Sequence, residues 1–376
     1  MKRKLLIPMT ICTLLLICSC SKPASSTIVG VESEGQAVAD SATTTTAPQQ
    51  STTPNSATTE TTTPPATTPP ETTTPPETTT NPLKEPITTF NPNTSTTIAP
   101  IGMKGPIMAN QFEDHGKTLN IYGDIDPNDE RVKKLENTLQ GYNKRISLAV
   151  WKKDGTKALS FNTQQTYFSA CTIKAGYMLN VCKLIDKGKA DENTLMTYQE
   201  KYYHRGSGQI RKNPYGSQYS LKTLINLALS ISDNVAYKML TAYFGHTEYN
   251  ALMDELGCSS IKLSGMWASK AKVDDYIIIW NEIYEYVNSD AKMAPILKAA
   301  CTNTPFNYGT ETLASGIDYS HKSGDNFGSS AVYNDAGIVW ADDAYIYAVF
   351  TNSEGQSNDI KTVNTAMEIV YDIMTN

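Results

Sequence analysis

Phe168-Ser169-Ala170-Cys171-Thr172-Ile173-Lys174 is the stretch that decides how the rest of this sequence is interpreted. We expect it to end a strand-like segment and to open a long apolar helix. Residues three apart lie on the same side of a helix, so the Cys171 thiol and the Lys174 amine would share one face. A nucleophile and its activating base have this arrangement. Cys171 and Lys174 are therefore the first candidate catalytic pair.

Two further short motifs follow along the chain, and each is weak on its own. Ser232-Asp233-Asn234 falls between two predicted helices, and Lys322-Ser323-Gly324 comes just before two predicted strands. Ser-Asp-Asn occurs by chance in many chains, and Lys322 alone would be interpreted as a solvated lysine at a strand end. The three motifs together, in this order and in these settings, indicate a single site.

In these motifs the chain resembles the class A β-lactamases and the wider family of penicillin-recognising serine enzymes, which includes the D,D-peptidases. That family carries Ser-x-x-Lys, then Ser-Asp-Asn, then Lys-Thr-Gly or Lys-Ser-Gly. The similarity runs over residues 128–376, and the stretches that carry it are Phe168 to Ile173, Ser230 to Tyr237, His321 to Gly324 and Asn334 to Val339. The resemblance implies the β-lactamase/transpeptidase-like fold.

The resemblance also implies catalytic roles. Cys171 would attack a carbonyl, and Lys174 would take or hold the displaced proton. Ser232 would pass a proton to the leaving nitrogen. The backbone amides of Cys171 and Asp325 would form the oxyanion hole, where each donor is worth roughly 3–4 kcal/mol in other acyl-transfer enzymes.

Substrate binding is implied for the remaining motif residues. Asn234 would position Lys174 and hold the substrate amide. Lys322 and the Ser323 hydroxyl, followed by Gly324, would bind a substrate carboxylate, and Lys322 would tune Ser232 electrostatically. The expected substrates are a β-lactam or a D-Ala-D-Ala-like stem peptide of peptidoglycan.

The nucleophile is the first departure from the family pattern, because Cys171 stands where the family has serine. Ser169 does not restore the motif, since Thr172 rather than lysine follows it three residues later. A thiol at a helix N-terminus beside an ammonium has a lowered pKa and is a good nucleophile. The alternative is a small apolar residue in a retired site, because sulfur is larger than oxygen and small displacements cost on the order of a hundredfold.

The second departure lies between Ser-Asp-Asn and Lys-Ser-Gly. Class A β-lactamases carry a loop there with a glutamate that activates the deacylating water. Here the chain passes through Gly265 to Lys270 into a helix at Val273, and no Glu-x-x-Leu-Asn is present. Asp274 and Asp275 are the nearest carboxylates, and we interpret them as helix-start residues that interact with the helix dipole. The sequence therefore predicts slow deacylation.

Apolar spacing predicts an α/β (α+β) fold, in which an antiparallel sheet from both ends of the chain carries an inserted all-helical subdomain. The site would lie in the cleft between them. The predicted strands are 145–152, 157–162, 336–341 and 344–351. The predicted helices are 128–142, 172–187, 221–229, one after Asn234, 273–287 and 359–373.

The N-terminal part of the chain is expected to serve export and anchoring. Residues 1–19 have a basic start and an apolar run typical of a secretory signal, and Ile17-Cys18-Ser19-Cys20 resembles the bacterial lipobox. Cys20 would then be the lipidated mature N-terminus; an ordinary signal with a chance cysteine is the alternative. Residues 20–100 are Thr/Pro-rich and are predicted to form a disordered tether, and 101–127 a lead-in to the catalytic domain at 128–376.

Composition narrows the choice of partners. The net charge of −6 gives no electrostatic reason to expect nucleic acid. The cysteines form no CxxC pair and the chain has only four histidines, so neither a metal nor another cofactor is expected. Cys182, Cys258 and Cys301 leave one disulfide open. We expect a monomer on the extracellular face of a bacterial membrane, projecting into the cell wall.

Three hypotheses about function follow. The first is an exported acyl-transfer hydrolase that forms a covalent acyl intermediate on Cys171. The second is a non-catalytic peptidoglycan-binding or signalling module on the same fold. The third is a surface spacer domain carried on the Thr/Pro-rich segment.

Overall fold

The computed structural model of the protein describes residues 97–98, 116–302, 304 and 317–376. All of them belong to the unit Leu83–Asn376. The predicted signal peptide, nearly all of the predicted tether and the first part of the lead-in lie outside the described residues. Within the described part of the chain, no helix combines the length and the apolar character needed to cross a membrane.

Strands and helices follow the predicted order, with additions at several points. In chain order they are β1 (Thr97–Ile98), β2 (Asn120–Gly123), α1 (Glu130–Gln140), β3 (Ile146–Lys152), β4 (Lys157–Phe161), α2 (Ile173–Asp186), β5 (Leu195–Thr197), β6 (Gln218–Ser220), α3 (Leu221–Ser230), α4 (Asn234–Phe244), α5 (Thr247–Glu255), α6 (Val273–Val287), α7 (Ala294–Cys301), β7 (Asp318–Asn326), β8 (Val332–Trp340), β9 (Tyr345–Thr351) and α8 (Ser357–Thr375).

The main sheet joins both ends of the chain, which confirms the predicted fold class. Its described strands lie in the order β1-β2-β4-β3-β9-β8-β7. All neighbours are antiparallel except the short β1, which pairs parallel with β2. Because β7 stands at the end of this order, the third motif lies on an edge strand, next to the helical part of the fold.

Alternating side chains divide the sheet between two cores, as the two-residue period of a strand requires. On β3, Leu148 and Val150 pack with the buried faces of α1 and α8. Ala149 and Trp151 point the other way, into the core that also contains α2, α3, α4 and α6. The fully buried α6 therefore links the sheet to the helical subdomain, and the N-terminus of α2 lies where the two meet.

Agreement with the predicted elements is best where apolar periodicity is strongest. The helix Val273–Val287 has the predicted bounds. Three expectations need correction. The lead-in already contains a strand, Asn120–Gly123, which pairs with β4. The segment before Cys171 is not a strand, because its only bridge joins Tyr167 to Ala271. The third motif lies within a nine-residue strand of its own, β7, rather than ahead of the final strands.

Candidate active site

Cys171 lies in a 3₁₀ turn, Ala170–Thr172, that leads directly into α2. The turn is strained, because Ala170 has a φ of +44°, a region that costs a residue with a Cβ about 1–2 kcal/mol. Ala170 and Thr172 are buried, whereas Cys171 is half-buried. The backbone of the turn is thus fixed in the core while the thiol reaches the cleft.

Three neighbouring elements hold this turn in place. The Asn334 side chain on β8 donates to the Phe168 carbonyl oxygen at 2.9 Å. Ser169 is joined to Ala268 twice, through N–H to O at 3.0 Å and through Oγ to the Ala268 N–H at 3.1 Å. From α6, the Tyr276 hydroxyl lies 2.7 Å from the Thr172 hydroxyl. Contacts of this kind stabilise a strained backbone that positions a reactive group.

Lys174 lies in the first turn of α2 and is fully buried. Its ammonium donates to the Ser232 carbonyl at 2.7 Å, to the Ser232 hydroxyl at 3.2 Å and to Asn234 Oδ1 at 2.7 Å. Burial lowers the pKa of Lys174 to about 8, although the nearby Cys171 opposes the shift. The first two motifs therefore meet at one amine, and that amine can change its protonation near neutral pH.

The Cys171 thiol lies 3.8 Å from Asn234 Oδ1 and within the field of two lysines. Burial alone would raise the pKa of the thiol because it disfavours the thiolate. The Lys174 ammonium and then that of Lys322 outweigh burial, so the pKa of Cys171 lies below its ordinary value. The Ser232 hydroxyl acts in the same direction. Since the thiolate is the nucleophilic form, the surroundings favour a reactive cysteine.

The Ser-Asp-Asn motif turns the chain from α3 into α4. Ser232 has a φ of +55°, and Asp233 caps α4 by accepting the N–H groups of Val235 at 2.9 Å and Ala236 at 3.0 Å. Its second oxygen accepts the N–H groups of Gln209 at 2.6 Å and Ile210 at 2.9 Å. Asp233 is thus a buried structural carboxylate that orients Ser232 and Asn234.

A glycine-containing loop, Arg205–Gln209, closes over this motif. The Asn234 side chain donates to the Arg205 carbonyl at 3.0 Å, and the Asn234 N–H donates to the Ser207 carbonyl at 3.1 Å. Gly208, at φ +108°, passes so close to Asp233 that a Cβ would stand 2.2 Å from Cγ of that side chain. Asn234 therefore has both ends of its amide fixed, one on Lys174 and one on this loop.

The third motif brings Lys322, Ser323 and Gly324 to the other wall of the cleft. Lys322 is only 2% exposed and donates to the Ser323 carbonyl at 2.9 Å. Burial lowers the pKa of Lys322, while Cys171 and then Asp335 oppose the shift. The interpretation of Lys322 as a solvated lysine is wrong, because this ammonium is buried beside the nucleophile.

Gly324 brings β7 against the nucleophile turn. A Cβ on Gly324 would stand 2.7 Å from the Cys171 nitrogen and 2.8 Å from the Thr172 nitrogen. Asp325 follows on the same strand, paired with Tyr333 of β8. The amides of Cys171 and Asp325, the two donors that the resemblance implies for an oxyanion hole, therefore belong to two backbone segments in close contact.

Two aromatic residues that the motifs did not predict complete the surroundings of Lys174. Its nitrogen lies 5.6 Å from the ring centroid of Trp267 and 5.7 Å from that of Tyr237. The two rings are 5.3 Å apart, and His204 approaches the outer side of Trp267 at 6.2 Å. Trp267 belongs to the loop where the family's glutamate was expected. No pattern in the sequence marked it, because a single tryptophan in a loop carries no periodicity.

The carboxylates after this loop are structural. Asp274 and Asp275 lie in the first turn of α6. Asp275 accepts the N–H groups of Ser259 at 3.1 Å and Ser260 at 2.7 Å, and Asp274 accepts the Asp275 N–H at 3.0 Å. The three acceptors of the Lys174 amine are a carbonyl, a hydroxyl and an amide. None of the recorded partners of this amine is a carboxylate.

The remaining described cysteines do not join the site. Cys182, Cys258 and Cys301 are buried and free, so the disulfide left open by the sequence is not formed between them. Burial raises the pKa of all three thiols. Only Cys171, among the cysteines that the structure describes, combines exposure with a lowered pKa. Over the same residues, no group of three or more His, Cys, Asp and Glu side chains could hold a metal ion.

Comparison with known proteins gives the family. The profile of the Beta-lactamase enzyme family matches residues 130–374. The chain therefore belongs to this family, whose members include class A and penicillin-binding-like serine enzymes. No curated protein matches the chain.

Several solved structures share the fold. The β-lactamase of Sphaerobacter thermophilus is 19% identical with a TM-score of 0.59, over 64% of this chain and 96% of that one. PBP-A, solved as an acyl-enzyme with penicillin G, is 19% identical with a TM-score of 0.58, over 64% and 94%. A class A β-lactamase of Bacteroides cellulosilyticus is 19% identical with a TM-score of 0.57, over 65% and 97%. At these identities the likeness concerns the fold.

Proposed function

We propose that this protein is an exported acyl-transfer hydrolase that attacks β-lactams, or D-Ala-D-Ala-like amides, through a thioester on Cys171. The observation that carries the proposal is the convergence of all three motifs on one thiol. Lys174 and Ser232 meet in one hydrogen-bonded group, and Lys322 lowers the thiol pKa from the opposite wall. A site that had lost its function would have no reason to keep two buried lysines beside a cysteine, since burying each ammonium is costly.

Acylation would begin with the thiolate of Cys171, whose proton is held by Lys174. Sulfur forms a bond to the carbonyl carbon, and the carbonyl electrons move to oxygen, facing the Cys171 and Asp325 amides. When the C–N bond breaks, the leaving nitrogen takes a proton from the Ser232 hydroxyl, which lies 3.2 Å from Lys174 Nζ. Lys174 then returns its proton to Ser232. The product is a neutral thioester and a free amine.

Acylation changes the charge of the site. The thiolate that favours protonation of Lys174 has gone, and the burial that lowers the pKa of Lys174 remains. Lys174 is therefore a neutral amine in the acyl-enzyme, with a lone pair that could serve as a general base for the next step.

Substrate recognition is assigned to Lys322, Ser323 and Asn234. Lys322 would pair with the carboxylate that β-lactams and D-Ala-D-Ala peptides carry beside the scissile amide. Asn234, held on both sides, would accept or donate to the amide of the acyl group. The penicillin G acyl-enzyme of PBP-A supports β-lactams as the first substrates to test.

Deacylation is proposed to be slow. Hydrolysis of an acyl-enzyme needs a base that holds and deprotonates water. The glutamate that serves class A enzymes has no counterpart in the loop before α6, and Asp274 and Asp275 bond to the backbone and to each other's segment instead. The thioester should accumulate.

For location we propose a lipid anchor on Cys20 and a Thr/Pro-rich tether that carries a monomeric domain into the cell wall. The lipobox-like Ile17-Cys18-Ser19-Cys20 and the composition of residues 20–100 support this proposal. Labelling with radioactive palmitate, lost in Cys20→Ala and retained in Cys18→Ala, tests it.

Intact-mass spectrometry after exposure to penicillin G tests the proposed function. The wild type should gain the mass of one whole penicillin, and Cys171→Ala should gain none. Absence of an adduct in both the wild type and Cys171→Ser would overturn the proposal. Peptidoglycan-fragment binding that survives Cys171→Ala in a protein that never forms an adduct would instead indicate the non-catalytic module. A chromogenic cephalosporin then separates turnover from trapping, and slow turnover is expected.

A further inference from the structure

We infer that Trp267 keeps water away from the Lys174 amine, and that this aromatic cover is what makes the thioester on Cys171 resistant to hydrolysis. The inference rests on the proposed function in that a thioester forms, and it assigns the slow deacylation to a particular side chain. It treats Trp267 as a positioning residue, because it acts through Lys174.

The Lys174 nitrogen has no free direction left for solvent. As an ammonium it has three protons, and their acceptors are the Ser232 carbonyl, the Ser232 hydroxyl and Asn234 Oδ1. The rings of Trp267 and Tyr237 lie against the same nitrogen at 5.6 and 5.7 Å, within the range of a cation–π contact. A water molecule needs two to four polar partners to occupy such a place, and two aromatic faces supply none.

The two rings differ in what holds them. Tyr237 is fully buried on α4. Trp267 is half-buried at the cleft and lies between Tyr237 and the His204 ring. Its neighbour Ala268 is bonded twice to Ser169, two residues before the nucleophile. Trp267 is thus fixed to the turn that carries Cys171, and it is the ring that stands between solvent and the amine.

Hydrolysis of the thioester requires a base at this position. Water forms a C–O bond to the acyl carbon while the C–S bond breaks; one water proton passes to the base and then to the Cys171 sulfur, which leaves as the thiol. The products are a carboxylic acid and free enzyme. In the acyl-enzyme Lys174 is the neutral base, so the rate depends on whether water can reach it.

An acyl donor without a β-lactam ring separates this inference from the proposed function. p-Nitrophenyl acetate transfers an acetyl group to a nucleophilic thiol and needs no recognition of a carboxylate. The acetyl adduct on Cys171 is then followed by intact mass after removal of the reagent, and adducts on lysines are subtracted with Cys171→Ala. Penicillin G, tested in parallel, reports on the proposed function alone.

Trp267→Ala should lose the acetyl group from Cys171 at least ten times faster than the wild type, and Trp267→Phe should stay within about threefold of the wild type. Trp267→Leu fills more of the loop and provides a second variant if the alanine variant is poorly folded. The matched control is Trp340→Ala, which also removes a tryptophan stacked on a lysine, Lys298 at 4.4 Å, but at the far end of β7 and β8. It should leave the half-life unchanged.

A double variant shows whether the effect passes through Lys174. If Trp267 acts by shielding that amine, Lys174→Met together with Trp267→Ala, acetylated at higher pH, should lose the gain of the single variant, because coupled residues are not additive. Equal half-lives in folded Trp267→Ala, Trp267→Leu and wild type would overturn the inference, as would a gain that persists without Lys174.

Discussion

Gly324 and Cys171 touch backbone to backbone, and no larger residue could replace the glycine: a Cβ on Gly324 would stand 2.7 Å from the Cys171 nitrogen. The contact explains why the third motif ends in glycine. The strand must pass the nucleophile closely enough for the Cys171 and Asp325 amides to face one oxygen atom. A side chain at this point would push the two donors apart.

Gly324→Ala should therefore abolish acylation while the domain still folds. We expect at least about a hundredfold slower adduct formation, in line with the loss of an oxyanion donor, and a lower melting temperature from overpacking of about 1–3 kcal/mol. Time-resolved intact mass and thermal unfolding measure the two effects. Gly265→Ala is the control, because a Cβ there meets nothing within 4 Å. Acylation at the wild-type rate in Gly324→Ala would contradict this account of the site.

Lys174 should set the reactivity of the thiol. In Lys174→Met the strongest of the charges that lower the Cys171 pKa is removed, so the thiolate forms only at higher pH. Alkylation by iodoacetamide at pH 7 should fall on the order of tenfold, with its pH profile moved to higher pH. Lys183→Met is the matched control on the same helix, since Lys183 pairs with Glu282. An unchanged pH profile in Lys174→Met would show that the lysine does not govern the thiol.

The sequence predicted those elements whose apolar residues repeat regularly. Val273–Val287 was placed at both ends because its buried face is continuous, from Val273 to Val287. β7 was not predicted because its sequence, Asp-Tyr-Ser-His-Lys-Ser-Gly-Asp-Asn, has no apolar alternation. It is buried all the same, because His321 bonds to Asp335 at 2.9 Å and to Thr304 at 2.7 Å. Paired polar groups can fill a core without leaving a hydrophobic pattern.

The candidate site shows the same division. Cys171, Lys174, Ser232 and Asn234 could be predicted to meet, because short motifs with known spacing carried them, and the structure brings them within hydrogen-bonding distance. Trp267 could not be predicted, since its contact with Lys174 depends on a loop whose path is fixed by tertiary contacts to Ser169. Burial of Lys322 was equally invisible in the sequence.

Asp274 should make the protein less stable as the pH rises. Burial, and then Asp275, raises its pKa to about 7. Below about pH 4 the carboxyl is protonated in both states; between about pH 4 and 7 the unfolded chain ionises first, so the folded state loses relative stability. Asp274→Asn removes this loss, and urea unfolding at pH 8 should show a gain of roughly 2–4 kcal/mol relative to its effect at pH 4.

Asp275→Asn is the control for that experiment. Its carboxylate accepts two backbone N–H groups, from Ser259 and Ser260, so the substitution should destabilise the protein at pH 8. A destabilising Asp274→Asn with the same pH dependence as the wild type would show that Asp274 ionises normally in the folded protein.

Asp233 should be the motif residue most important for folding. Its two oxygens accept four backbone N–H groups, and an asparagine would turn an N–H₂ group toward two of those donors. Asp233→Asn should cost about 2–4 kcal/mol in urea unfolding. Asp129→Asn, at the exposed N-terminus of α1, should cost about 1 kcal/mol or less. Equal losses in the two variants would contradict a central role for Asp233.

Lys322 should discriminate substrates by their carboxylate. Its ammonium lies close enough to Cys171 to lower the thiol pKa, but it ranks second to Lys174 in that effect. Lys322→Met should therefore slow acylation by p-nitrophenyl acetate only slightly, whereas acylation by penicillin G should fall on the order of a hundredfold, because a charge-assisted hydrogen bond contributes about 1.5–3 kcal/mol.

Lys298→Met provides the control for Lys322, since Lys298 stacks on Trp340 away from the thiol and both acyl donors should react with it as with the wild type. The ratio of the two rates is the quantity to compare, because any general damage to the site slows both donors alike. Equal slowing of penicillin G and p-nitrophenyl acetate in Lys322→Met would mean that Lys322 acts on the thiol alone. The substrate carboxylate would then have to be bound elsewhere in the cleft.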